Sequence, residues 1–195
     1  LERFEQQVAG LEAAVNRHGD SVEIVESPEA VDPVVEEGRT ALLHAVEGAH
    51  VLEGEPGNVD RLADLGVVCI TLAHFYPNGL VNHVDAVPDS FFFKTIENFE
   101  FGCDRGEPLS DRGREVLDRM NERGILPDLT HCSPEARRAI YEYYPSGEPL
   151  VATHLGLHQF KPDPMNLTRD ELSEIADRGG GIGLILFNYW LDEDD

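Results

Sequence analysis

Leu1, Phe4, Val8, Leu11 and Val15 recur at spacings of three and four with Glu and Gln between them, which predicts a helix with one apolar stripe over residues 1–15. A short strand is expected at 21–25, followed by an acidic segment that opens at Ser27-Pro28 and closes near Gly38. Residues 40–46 form a run typical of a buried strand, ending in Glu47-Gly48. Asn58 offers a cap to a helix carrying Val59, Leu62 and Leu65, and Gly66 stops it. A strand over 67–73 then ends in His74.

The second half repeats this rhythm. Ser110 caps a helix running to Gly124, a strand over 125–130 meets His131, and Ser133-Pro134-Glu135 starts a helix through Tyr144. A strand over 150–153 ends in His154. Thr168 and Glu171 form a capping box for a helix carrying Leu172, Ile175 and Ala176, stopped by the glycines at 179–181. The last strand is expected at 182–187. Strand and helix units of roughly 30 residues predict an α/β fold with parallel strands covered by helices. About six strands fall short of the eight of a closed (β/α)8 barrel, so either the sheet is open or part of a barrel is missing. Nothing divides the chain, and residues 1–195 read as one domain. The connection over 75–108 is long enough to be a lid or binding element, with Phe91–Phe93 either lining it or anchoring it locally.

Composition narrows the partners. With 38 Asp+Glu against 15 Lys+Arg the net charge is −23, which disfavours nucleic acid and anionic membranes. Lys occurs only at Lys94 and Lys161, and this acidic excess predicts a protein kept soluble at high salt. No apolar run approaches the roughly 18 residues of a membrane span. Cys69, Cys103 and Cys132 form no C-x-x-C pattern, so a reducing, cytoplasmic setting without disulfides is expected.

Four successive strands end in Glu47, His74, His131 and His154. In a parallel α/β sheet or barrel those ends share one face, where active sites of such folds are built. Three imidazoles and a carboxylate are the donor set of a divalent transition metal such as Zn²⁺. A single histidine at a strand end is unremarkable, and the weight lies in the repetition.

At these residues the chain resembles a known family. Val46-Glu47-Gly48-Ala49-His50, the run from Gly66 to His74 with Asn78, Leu109-Ser110-Asp111-Arg112-Gly113-Arg114-Glu115-Val116, the run from Met120 through Asp128 to His131, and Val151-Ala152-Thr153-His154 look like the membrane (renal) dipeptidases, a zinc peptidase family. The resemblance implies a (β/α)8 TIM-barrel-like amidohydrolase fold, of which this chain would carry a partial barrel, and a small peptide-like substrate. It implies two zinc ions, with Glu47 as bridging carboxylate and His131 and His154 as ligands of one. His74 would contact substrate and stabilise the tetrahedral intermediate. Asp128 matches a family aspartate, with hydrogen bonding within the fold and tuning of a ligand both open as roles; His50 would support Glu47.

The departures are specific. The family's first-strand His-x-Asp pair is not at a strand end here: His18-Gly19-Asp20 precedes a strand and His83-Val84-Asp85 lies in the long connection. The family's late aspartate would fall past Asp195. Met165 stands where the family has an arginine before Asn166, leaving Asn166 as substrate-binding candidate and Lys161 or Arg169 as substitutes for the arginine. One zinc is therefore the expectation for this chain alone. A catalytically incomplete barrel acting as a structural or interaction protein, and a mononuclear amidohydrolase, are the alternatives. Uncovered parallel edges at 21–25 and 182–187 predict a homo-oligomer or missing flanking segments.

Overall fold

The computed structural model describes residues 1–84 and 106–191. Asp85, Phe91–Phe93, Lys94 and Cys103 lie outside the described residues. The elements run α1 (Glu2–Val15), β1 (Val22–Ile24), α2 (Val31–Glu36), β2 (Thr40–Leu42), β3 (His44–Glu47), α3 (Asn58–Asp64), β4 (Val67–Thr71), α4 (Asp111–Arg123), β5 (Leu126–Asp128), α5 (Pro134–Tyr143), β6 (Val151–Leu155), α6 (Arg169–Asp177), β7 (Gly181–Leu184) and α7 (Asn188–Leu191).

Strands β3 to β7 form a five-stranded sheet in sequence order, and every pairing is parallel. A sheet ordered as the chain is ordered, with helices between its strands, is the connectivity of a (β/α) barrel, here one arc of it. The single strand expected over 40–46 divides at Leu43: β2 pairs with β1 in a separate two-stranded sheet, while β3 begins the main sheet. The main sheet is therefore edged by β3 and β7, and the segment at 21–25 is not one of its edges. At the β7 edge Ile182, Leu184, Leu186 and Phe187 are exposed.

Burial of apolar side chains holds the arc together. Leu62, Ile70, Leu117, Leu129, Ile140 and Leu150 have no accessible surface, and each contributes about 1.5–3 kcal/mol relative to exposure. A second cluster joins Ala152, Leu155, Met165, Leu167, Ile175 and Trp190, which places Met165 in packing. Ser110 and Ser133 cap α4 and α5 as expected, and the Thr168–Glu171 capping box forms. Asn58 does not cap α3: Gly57 takes that position, and the Asn58 amide donates to the Leu52 carbonyl at 3.0 Å. No helix among the described residues is long and apolar enough to cross a membrane.

Candidate metal centre

The candidate ligands gather at the C-terminal ends of their strands, although the strands are not bounded as expected: His74 and His131 follow β4 and β5 by three residues, and His154 is the next-to-last residue of β6. Glu47 closes β3, and the chain turns at once through Gly48 with φ +93°. A β-carbon there would lie 2.9 Å from His50 Nδ1 and 3.1 Å from His74 Cβ, so only glycine fits. Gly48→Ala is expected to cost about 1–3 kcal/mol in chemical denaturation, because strain and contact act together; an unchanged midpoint would show that the turn relaxes freely. His131 follows β5 with φ +67°, an unusual backbone for a non-glycine residue, and this bend turns its ring toward Glu47.

Glu47 Oε1 sits 3.4 Å from His74 Nε2, 3.3 Å from His131 Nε2 and 3.0 Å from His154 Nε2. His131 Nε2 and His154 Nε2 are 3.2 Å apart. Donor atoms placed tetrahedrally about 2.0–2.1 Å from a common ion stand roughly 3.3 Å from one another. These separations match that spacing, and ligand atoms of Glu47, His74 and His131 lie within 4.8 Å of one another. The residues therefore fit a divalent cation. Burial pushes His131 toward the neutral form a metal needs, whereas the hydrogen bond to Glu47 raises His154 above the usual imidazole range. The same three histidines, His131 foremost, hold the Glu47 carboxyl far below the ordinary carboxylate range.

The remaining candidates divide. His50 is close in sequence and lines a cavity of about 450 Å³ with Glu47, His74 and Tyr76, but its Nε2 meets the Tyr76 carbonyl at 2.8 Å. Asn166 is not brought to the cluster. It is fully buried: Oδ1 accepts from the Gly156 N–H at 2.7 Å, and Nδ2 donates to the carbonyls of Lys161 and Trp190. Its amide is spent on holding the loop after β6, and it lines a separate cavity of about 490 Å³ with Arg137 and Glu171. His18 lies in the turn before β1 and His83 pairs with Cys132 in an isolated bridge, so neither ends a strand of the main sheet.

Asp128 has no accessible surface and collects hydrogen bonds from three threonines. Oδ2 accepts from Thr71 Oγ1 and Thr153 Oγ1, both at 2.6 Å, while Oδ1 accepts from Thr130 Oγ1 at 2.7 Å and from the N–H groups of Thr130 and Thr153 at 3.0 and 3.1 Å. One buried carboxylate thus stitches β4, β5 and β6, the strands that carry the three histidines. Thr71, Thr130 and Thr153 are not marked as functional by residue type. Their one signal in the sequence is the repeated Thr-His pair, Thr130-His131 and Thr153-His154.

Known proteins resemble this chain along its whole length. The membrane dipeptidases, peptidase family M19, match residues 1–195. The chain belongs to the membrane dipeptidase family. Dipeptidase verJ of Clonostachys rogersoniana is 27% identical over 182 residues, covering 93% of this chain and 42% of its own length. Dipeptidase ataJ of Aspergillus terreus is 25% identical over 191 residues, covering 93% and 45%. Among solved structures, an amidohydrolase from Pseudomonas aeruginosa superposes with a TM-score of 0.82 at 23% identity, over 99% of this chain and 53% of that one. A metallopeptidase from Rhodobacter sphaeroides, liganded with a phosphinate mimic of the dipeptide L-Ala-D-Ala, gives 0.76 at 22% identity, over 95% and 50%. The membrane dipeptidase arc described here thus spans less than half of the two curated relatives and about half of the two solved chains.

Proposed function

We propose that the protein is a metal-dependent hydrolase of dipeptide-like substrates and that Glu47, His131 and His154 hold its zinc. The observation that carries this reading is the convergence of the Glu47 carboxylate oxygen with His131 Nε2 and His154 Nε2, at separations suited to tetrahedral ligands, on one rim of a parallel sheet. A divalent metal bound there supplies Lewis acidity, polarising a carbonyl and acidifying a water. Glu47 brings the negative charge that favours a cation. His74 Nε2, beside the same carboxylate oxygen, is placed to donate to the oxygen of a substrate carbonyl as charge develops on it. The family and its dipeptidase members support the substrate class.

Metal content is the direct test. After dialysis against metal-free buffer the chain is expected to retain or take up one zinc and, once loaded, to release amino acids from a dipeptide. Failure of the folded chain to take up zinc on titration would overturn the assignment. Affinity should also depend on pH. The raised His154 must lose its proton before Nε2 can serve as donor, so binding weakens as pH falls through the folded value of that ring and levels off above it. Calorimetry in buffers of different ionisation heat should report protons released on zinc binding, with the release declining as pH rises through the folded value of that ring.

A further inference from the structure

We propose that the Thr153 hydroxyl is a positioning group that fixes which nitrogen of His154 faces the metal centre. A threonine hydroxyl has one hydrogen to donate and lone pairs with which to accept. Thr153 Oγ1 lies 2.6 Å from Asp128 Oδ2 and 2.9 Å from His154 Nδ1. A carboxylate oxygen can only accept, so the hydroxyl hydrogen goes to Asp128 and Thr153 Oγ1 is left to accept from the ring. His154 must therefore carry its hydrogen on Nδ1.

That assignment decides what His154 shows the cluster. With Nδ1 protonated in the neutral ring, Nε2 presents a lone pair toward Glu47 Oε1 at 3.0 Å and His131 Nε2 at 3.2 Å. A lone pair facing a carboxylate oxygen at that distance needs a cation between them, either a second ring proton or a metal ion. The direction is imposed by Asp128. Asp128 is filled by five donors, two of them backbone N–H groups that cannot reverse. His131 has no such guide: its buried Nδ1 has no hydrogen-bond partner among the described residues. Thr153 thus orients one imidazole of the pair through the oxygen of a hydroxyl, where metal-binding histidines more often use a carboxylate, a carbonyl or water.

This inference rests on the reading of His154 as a metal-binding residue, and the test separates the two. Two-bond ¹H–¹⁵N spectra of histidine-labelled chain, free of metal and followed upward in pH until the His154 ring itself has become neutral, are expected to show its remaining hydrogen on Nδ1. Thr153→Val keeps the shape but cannot accept, so His154 should shift its hydrogen to Nε2 and zinc affinity should fall about 10–100-fold. Thr153→Ser should restore both. A wild-type ring with hydrogen on Nε2, or a valine variant with unchanged tautomer and affinity, would overturn the proposal. If the tautomer shifts as expected while even the wild-type chain binds no zinc, the role of Thr153 stands and the metal assignment falls.

Discussion

Glu47→Gln is expected to lower zinc affinity at least about 100-fold, or about 2.8 kcal/mol, while leaving the metal-free fold nearly unchanged. The amide has the shape of the carboxylate but no charge. Its NH₂ group, if turned inward, would point hydrogens at the same three Nε2 atoms that now surround Oε1. Its oxygen, if turned inward, is a weaker donor to a dication. The fold should tolerate the change because the Glu47 side chain is half exposed and its charge is screened by water. In the metal-free chain the depressed carboxyl contributes its stabilisation above the ordinary carboxylate range and loses it as pH falls, and the glutamine variant should lack that pH dependence. Melting curves with and without zinc separate these effects. The metal-free midpoints should agree within about 3 °C, whereas zinc at 100 times its Kd should raise only the wild type, at about 2–4 °C per kcal/mol. A glutamine variant that gains as much as wild type would remove Glu47 from the centre.

The rim that carries this prediction was legible because each strand pattern stops at a polar residue with ligand chemistry. Glu47, His74, His131 and His154 stand out at the ends of otherwise apolar runs, and the order of strands places them on one face. The division at Leu43 was not legible. Residues 40–46 hold no glycine or proline, so an unbroken run does not reveal that its first half pairs with β1 and its second with β4. Asn58 misled for a related reason: a capping side chain is judged from its neighbours in sequence, whereas Leu52 supplied a carbonyl from an earlier turn. Asn166 read as substrate-facing by resemblance, yet the backbone around it claims all of its amide. The threonines stayed hidden because threonine in a strand is ordinary. Only the tertiary fold shows that three of them spend their hydroxyl hydrogens on one buried aspartate.

That aspartate should be costly to remove. Asp128→Ala leaves the buried hydroxyls of Thr71 and Thr130 and the Thr130 N–H without their acceptor, while the exposed Thr153 hydroxyl can turn to water and the Thr153 N–H keeps a bond to Thr130 Oγ1 at 2.9 Å. Each orphaned buried group costs about 1–3 kcal/mol before neighbours re-pair, so a net loss of about 3–5 kcal/mol in urea denaturation is expected. Against a total of about 5–15 kcal/mol, that brings the arc close to unfolding. Asp128→Asn behaves differently, and its orientation is forced. The Thr130 and Thr153 N–H groups can only donate, so the asparagine oxygen must occupy the Oδ1 position and its NH₂ group must face Thr71 and Thr153. Both hydroxyls then turn to accept, and Thr153 Oγ1 is freed to donate to His154 Nδ1. The variant should stay folded with a modest loss in the denaturation midpoint, yet show His154 with hydrogen on Nε2 and bind zinc about 10–100-fold more weakly. An asparagine variant with full zinc affinity would mean that Asp128 stabilises the strands without governing the ring above them.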